Sequence, residues 1–432
     1  MKLRIEKIVY GGAGLAHSTE ESEKTFFVPF SLPGELVEAA PVLDKGSFVD
    51  AEPLQILEPS QDRVVPQCVH FGECGGCHLQ HAEYKAQLAL KVSVLEETLQ
   101  RSGIDQLPTV QVLAAQPWQY RNRIRLRIAE EGELLRVGYL RRGTNDFLPI
   151  RECLIAAPLL WHAATALLSL SEAEDAARWL RAIDEVEFFA SKDESMLQMT
   201  LYTRQRHFAG LRPLCQRLSE VVPELTGAGV LLLRSRPSRR AERPQVIAGW
   251  GADGFSYHAA GERYWVSRGG FFQVNRFLID DLLHLVTSGR RGKLAWDLYA
   301  GVGLFSRGLK AGFGEVVAVE AAADDLVKSF KGDGRYAVSA TTIDFLRSAV
   351  LQRERPELIV MDPPRAGVGA EVCALLDRIG AKEMIYVSCD PVTLGRDLKA
   401  MVDFGYRIDE LHMVDMFPQT YHQETVAVLR RS

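Results

Sequence analysis

Cys389 ends a run of apolar and β-branched residues, MIYVS, and Asp390 and Pro391 follow it at once. The run reads as a buried strand, which Pro391 stops by removing a backbone donor. A thiol where a sheet hands over to a loop can serve as a nucleophile. The commoner fate of a lone cysteine is packing, so the rest of the chain has to decide. Three carboxylates hold matching places: Asp297 near the end of KLAWDL, Glu320 at the end of EVVAVE and Asp362 at the end of ELIVMD. From about residue 265 strands and helices alternate, the order of a doubly wound parallel sheet. Such sheets bind ligands beyond the carboxyl ends of their strands.

The turn DLYAGVG supplies G-x-G, and Ser306 stands where a full phosphate fingerprint would need its last glycine. Glu320 lies 23 residues beyond Asp297, close to the offset of about 20 at which a carboxylate holds ribose hydroxyls. A nucleoside cofactor without a pyrophosphate fits this pattern, and S-adenosylmethionine is the expected one. Asp344, in TTIDFL, is a candidate contact to its adenine. The loop MDPPR is stiffened by two prolines and carries Arg365 where adenine N-methyltransferases have an aromatic residue. It holds no cysteine, so Cys389 is the available nucleophile.

A second group of residues points to metal chemistry. Cys68, Cys74 and Cys77 follow the pattern C-x5-C-x2-C, with glycines that let a tight loop wrap a centre. Cys153, in IRECLI, is the natural fourth ligand. The spacing leaves a zinc site and an iron–sulfur cluster both open. His70, His78 and His81 flank the loop and read as bystanders.

Several elements must position these groups. Residues 1–60 alternate short apolar stretches with Gly- and Pro-containing turns, which predicts an OB-type β-barrel. Residues 61–260 read as a central α+β domain and 261–432 as the catalytic α/β domain. In between, Tyr84, Leu88, Val92, Leu95 and Leu99 form the stripe of an amphipathic helix that Gly103 stops. The chain has 432 residues and a net charge of −5, which argues against indiscriminate nucleic-acid binding. Two stretches are locally basic. Arg121, Arg123, Arg125 and Arg127 alternate along one strand face, beside Trp118 and Tyr120 as stacking surfaces. Arg234, Arg236, Arg239, Arg240 and Arg243 form the other. No apolar run approaches the roughly 20 residues of a membrane span, so a cytoplasmic protein is expected.

Together these motifs resemble the RNA uracil-5-methyltransferase family: FFQVN at 271–275, DLYAGVGLF at 297–305, DPPR at 362–365, SCDP at 388–391 and HQETV at 422–426. The N-terminal part is similar to a TRAM domain through EKIVYGGAGLAH and LPGE, and CGGCHLQH with YKAQL matches the cluster-bearing branch. The resemblance implies a Rossmann-like S-adenosylmethionine-dependent methyltransferase sheet. It implies a 4Fe–4S cluster on Cys68, Cys74, Cys77 and Cys153. It implies that Gln273, Tyr299, Glu320 and Asp362 line the pocket for cofactor and target, with Cys389 as nucleophile and Glu424 as base. By residue type alone, Glu424 is an ordinary Glu ahead of the last strand. The chain departs from the family pattern at Ala300 and Leu304. The expected activity is methylation of carbon 5 of a uridine in 23S rRNA by a monomer. The alternatives are the same reaction on the tRNA T-loop, or a non-catalytic RNA-binding or assembly factor.

Overall fold

The computed structural model describes residues 1–17, 24–132, 134–233 and 245–431. The second basic stretch, from Arg234 to Arg243, lies outside the described residues. The first sheet has six strands, ordered Lys2–Arg4, Leu36–Asp44, Phe48–Glu58, Thr25–Pro29, Ala13–His17 and Lys7–Ile8. Its two edges come from the same stretch, residues 2–8, so the sheet curls round on itself. Leu3, Phe26, Val28, Val37 and Val49 fill its interior.

The central sheet has seven strands, with Arg123–Glu131 between Leu134–Leu140 and Glu185–Ala190. Helices Pro158–Ser169 and Leu211–Val221 cover it over one apolar cluster. The arginines of this sheet are not an open basic face. Arg123 pairs with Glu187 at 3.1 Å, and Arg125 with Glu185 at 2.6 Å. Arg123 lies over the Phe189 ring and Arg125 over the Tyr202 ring. Arg127 also faces Glu185. The neighbouring strand supplies the anions, diagonally across from Arg123 and Arg125 and directly opposite Arg127, which a single strand's sequence does not reveal. Tyr120 is no stacking surface either: it is 0% exposed and its hydroxyl donates to the Pro418 carbonyl at 3.1 Å.

The catalytic sheet has eight strands, ordered Arg335–Ser339, Phe313–Glu320, Gly292–Leu298, Leu358–Met361, Glu383–Ser388, Glu424–Arg431, Tyr406–Val414 and Val110–Leu113. The first five run parallel. Residues alternate between two covered faces, as strands buried on both sides must. Ala295, Val360, Ile385 and Val426 join one cluster; Trp296, Ile359, Tyr386 and Ala427 join the other. The strand order reverses between Gly292–Leu298 and Leu358–Met361, which opens a crevice at their carboxyl ends.

Glu424–Arg431 departs from a purely parallel sheet. It inserts antiparallel to both neighbours. Helix Tyr84–Arg101 packs on this unit, burying Leu95 and Leu99 in the second cluster, and Gly103 follows its end at φ 85°. The helix also buries Gln87 and Lys91. Lys91 is 2% exposed and its ammonium meets Asp415, 0% exposed, at 2.5 Å. Tyr84 donates to the other Asp415 oxygen at 2.8 Å, and Lys91 also donates to the Phe417 carbonyl at 3.0 Å. Lys91→Ala should therefore cost about 3–5 kcal/mol, because it strands a buried carboxylate. A lowered urea midpoint that is partly restored when Asp415→Ala is added would check this.

Candidate active site

The register of two strands brings the nucleophile candidate to its base candidate. Ser388 lies opposite Thr425 in the antiparallel pair. The next residue outward on each strand is Cys389 and Glu424, so both leave the sheet at the same end. Glu424 is buried. Burial, with Asp362 nearby, pushes its carboxyl well above the usual range, and Arg365 opposes the shift. Burial and the Glu424 carboxylate push the Cys389 thiol up to about 11, with Asp362 adding and Arg365 opposing.

The helix Pro391–Asp403 begins one residue beyond the nucleophile's neighbour, Asp390. Asp390 caps it, accepting from the amides of Val392 and Thr393, both at 3.0 Å. The first amides of the helix are thus taken by a carboxylate, which offsets the positive end of the dipole near the thiol. The other Asp390 oxygen accepts from Tyr10 of the N-terminal sheet at 3.1 Å.

The cofactor candidates gather around the crevice. Glu320 accepts the Gly301 amide and the Ala322 amide, each at 3.0 Å. The turn is left-handed at Tyr299 (φ 62°), Gly301 (φ 57°) and Gly303 (φ 84°). A Cβ on Gly301 would meet open space, whereas one on Gly303 would lie 2.9 Å from Leu326. The turn is closed on its helix side and open beside Glu320. Asp297 is fully buried, and Ser306 donates to one of its oxygens. The other oxygen is buried without a partner among the described residues. Burial lifts Asp297 to about 7. Asp362, beyond Leu358–Met361, is lifted to about 7 by burial and by Asp297. Gln273 donates to Asp362 at 3.4 Å. Buried Asn122 steadies that segment, donating to the Gln273 carbonyl at 3.0 Å. Phe271, two residues earlier, is 69% exposed.

Asp344 lies in the first turn of the helix that follows strand Arg335–Ser339, whose Ser339 pairs with Glu320. It is exposed, and one of its carboxylate oxygens accepts from the Thr341 hydroxyl, while its amide donates to that hydroxyl and so caps helix Thr342–Gln352. Ala300 and Leu304 are buried in the core, and the Leu304 carbonyl accepts from Tyr264 at 3.3 Å. Asn122 and Tyr10 carry no sequence signal of a part in the site. Each acts through a contact more than a hundred residues away.

The four candidate metal ligands, Cys68, Cys74, Cys77 and Cys153, line one cavity of about 440 Å³. The Tyr139 hydroxyl lies 3.7 Å from the Cys153 sulfur. Burial pushes Cys74 to about 11 and Cys77 to about 12. Among the described residues no three His, Cys, Asp or Glu side chains stand close enough to hold a single metal ion. Four thiols round a shared cavity are the donor set of a structural zinc ion or of an iron–sulfur cluster. The loop also touches the catalytic end. His78 and Leu79 donate their amides to the Gln419 carbonyl at 2.9 and 3.0 Å, and His78 packs on Tyr421.

The family model described as tRNA (Uracil-5-)-methyltransferase matches residues 340–432. A protein of Aquifex aeolicus named an uncharacterized RNA methyltransferase is 31% identical over 99% of this chain and 98% of its own length. A protein of Chromohalobacter salexigens named 23S rRNA (uracil(1939)-C(5))-methyltransferase RlmD is 30% identical over 99% of this chain and 89% of its own. The chain belongs to the RNA uracil-5-methyltransferase family. The fold of this methyltransferase is shared with the solved Pyrococcus abyssi tRNA (uracil-54, C5)-methyltransferase in complex with S-adenosyl-L-homocysteine. That likeness has a TM-score of 0.77 at 23% identity, over 99% of this chain and 100% of the other. No described helix is long and apolar enough to cross a membrane.

With the thiol at about 11, alkylation of Cys389 by iodoacetamide should be slow near neutral pH. It should quicken about tenfold per pH unit, because only the thiolate reacts and its fraction rises at that rate below the pKa. Peptide-resolved mass spectrometry of the RNA-free protein would measure the profile. A plateau below pH ~8 would contradict it.

Proposed function

We propose that the protein methylates carbon 5 of a uridine in 23S rRNA through a covalent Cys389 adduct. The observation that carries this reading is that Cys389 and Glu424 each lie one residue beyond the Ser388–Thr425 pair, at one end of the catalytic sheet. Carbon 5 of uracil is a weak nucleophile. The Cys389 thiolate adds to carbon 6, and the electron pair of the ring double bond moves to the carbonyl oxygen at carbon 4. Bound S-adenosylmethionine supplies the electrophilic methyl group. Glu424 takes the proton left on carbon 5. The enolate pair is spent in the new carbon 5–methyl bond, and the pair of the carbon 5–hydrogen bond restores the ring double bond as the sulfur–carbon 6 bond breaks, so Cys389 leaves as thiolate.

Glu320 and the open turn at Gly301 suit a ribose and its adenosyl group. Gln273 and Asp362 suit the edge of a uracil ring. A neutral Asp362 can donate where an ionised one can only accept. The exposed Phe271 offers a face to a base that has left its stack. Asp344 is the proposed contact to the adenine, since Thr341 takes only one of its carboxylate oxygens. The name of the RlmD relative supports rRNA as substrate. In this reading residues 1–60 are a TRAM-type RNA-binding barrel, 61–260 the cluster and RNA-binding domain, save that helix Tyr84–Arg101 and strand Val110–Leu113 join the catalytic sheet, and 261–432 the catalytic domain, in a cytoplasmic monomer.

Incubation with S-adenosylmethionine and a 5-fluorouridine-substituted rRNA fragment should trap a methylated Cys389 adduct, because fluorine cannot leave as a proton does. Cys389→Ala should abolish both adduct and turnover while still binding cofactor. An adduct on tRNA alone would move the target. Turnover by Cys389→Ala would overturn the mechanism.

Cys68, Cys74, Cys77 and Cys153 would hold a 4Fe–4S cluster. Anaerobically purified protein should carry iron and acid-labile sulfide in equal amounts, and Cys153→Ser should lose both together with the visible absorbance. Stoichiometric zinc without sulfide would refute the cluster.

A further inference from the structure

The loop that leads to Glu424 is held by its backbone. Every carbonyl from Asp415 to Gln419 accepts a hydrogen bond from a distant segment. Asn275 donates to Asp415 and Met416 at 3.4 and 3.3 Å, Lys91 to Phe417 at 3.0 Å and Tyr120 to Pro418 at 3.1 Å. The amides of His78 and Leu79 donate to Gln419 at 2.9 and 3.0 Å. Those two residues directly follow Cys77.

Gln419 is the last of these residues, five before Glu424. It is 2% exposed, and its backbone is left-handed at φ 69°, a conformation that a non-Gly residue keeps only when its surroundings impose it. Gln87 meets it twice. Gln87 Oε1 accepts the Gln419 amide at 3.1 Å, and Gln87 Nε2 donates to Gln419 Oε1 at 3.0 Å. Gln87 is itself buried, on the helix face that carries Tyr84 and Lys91. Beyond Gln419 the chain has little slack. Thr420 Oγ1 donates to the Phe417 carbonyl at 2.8 Å and accepts the His422 amide at 3.1 Å. Two residues later Glu424 enters the sheet opposite Val414. Tyr421 packs on His78, with ring centroids 4.6 Å apart. Gly12 of the N-terminal region seals that contact, since a Cβ there would lie 3.3 Å from the Cβ atoms of both.

We infer that Gln419 is a positioning residue for the base, and that through it the four-cysteine centre sets where Glu424 stands. The inference rests on Glu424 as base. With a metal group on the four thiols, Cys77 is tied to Cys68, Cys74 and Cys153, and the chain is fixed where His78 and Leu79 begin. Their amides then fix Gln419. Proton removal is the step that depends on this chain of contacts. The proton passes from carbon 5 to Glu424, the pair of that bond restores the ring double bond, and the bond from carbon 6 to sulfur breaks. Thiol addition and methyl transfer come earlier and use Cys389, Glu320 and Asp362, which stand at the ends of parallel strands outside this loop.

The test is a quenched single-turnover reaction, read by intact mass, on the RNA that the 5-fluorouridine trap selects, now with ordinary uridine. Full-length, metal-loaded wild type, Gln419→Ala, Gln87→Leu and Glu424→Gln are compared. In Gln419→Ala and Gln87→Leu the methylated adduct should form at close to the wild-type rate and decay about tenfold more slowly, as a misplaced group brings. Decay at the wild-type rate would overturn the inference. Equal slowing of formation and decay would overturn it too, because a merely structural residue would act on both. Gln87→Leu changes a different element and decides alone if Gln419→Ala does not fold. Glu424→Gln should keep its adduct. If it turns over normally, or if wild type forms no adduct, the mechanism fails, and hydrogen exchange then decides the link alone. After a chelator strips the metal, amides 415–423 should exchange faster while strand Glu383–Ser388 stays protected. Unchanged exchange at 415–423 would overturn the link. Loss of protection in both would make the centre a general prop and overturn it as well.

Discussion

One antiparallel strand turns an ordinary doubly wound sheet into this active site. In a purely parallel sheet every strand delivers its carboxyl end to the ligand crevice. Glu424–Arg431 runs the other way and delivers its amino end there. Its register against Glu383–Ser388 then fixes which residues meet. A slip of one residue would turn Glu424 to the opposite face of the sheet. The alternation of Val426 and Val428 with Ala427 and Leu429 between the two apolar clusters resists that slip. The chemistry therefore depends on packing deep in the sheet, well away from the reacting atoms.

The loop that leads to Glu424 is held from outside the catalytic domain. Lys91 and Tyr84 hold Asp415, and Gln87 meets Gln419 at 3.0 Å. The cysteine loop holds the Gln419 carbonyl through two amides. Tyr10 of the N-terminal sheet packs on Tyr421 and reaches Asp390. Three segments of the first hundred residues thus converge on a loop more than three hundred residues later. Loss of order around the four cysteines would be felt at the base through His78 and Tyr421. This gives the cysteine loop a mechanical tie to the site that does not depend on redox chemistry.

The electrostatics of the site run against its chemistry. Burial raises Asp297, Asp362 and Glu424; Asp297 adds to the rise of Asp362, Asp362 to that of Glu424, and Glu424 and Asp362 to that of the thiol. Such crowding suits a base that must take a proton from carbon, because a raised carboxylate is a stronger base. It opposes thiolate formation, which a helix dipole already capped by Asp390 does little to favour.

The sequence by itself determined the alternation of strand and helix, the strand ends that carry Asp297, Glu320, Asp362 and Cys389, and the grouping of the cysteines. These follow from local rules: the period of apolar residues, proline stops and short spacing. The role of Glu424 was legible only through resemblance to a family, because a Glu before a strand carries no mark of its partner. Only the tertiary structure decided three further matters. It buried Tyr120 against the Pro418 carbonyl and paired Arg123, Arg125 and Arg127 with Glu185 and Glu187 of a strand some sixty residues on. It buried Lys91 on what read as a plain apolar helix, because Asp415 waited on the other side. It placed Val110–Leu113 at the edge of the catalytic sheet, beside Tyr406–Val414. In each case the deciding partner is distant along the chain, and local periodicity carries no information about a contact that forms only when the chain closes on itself.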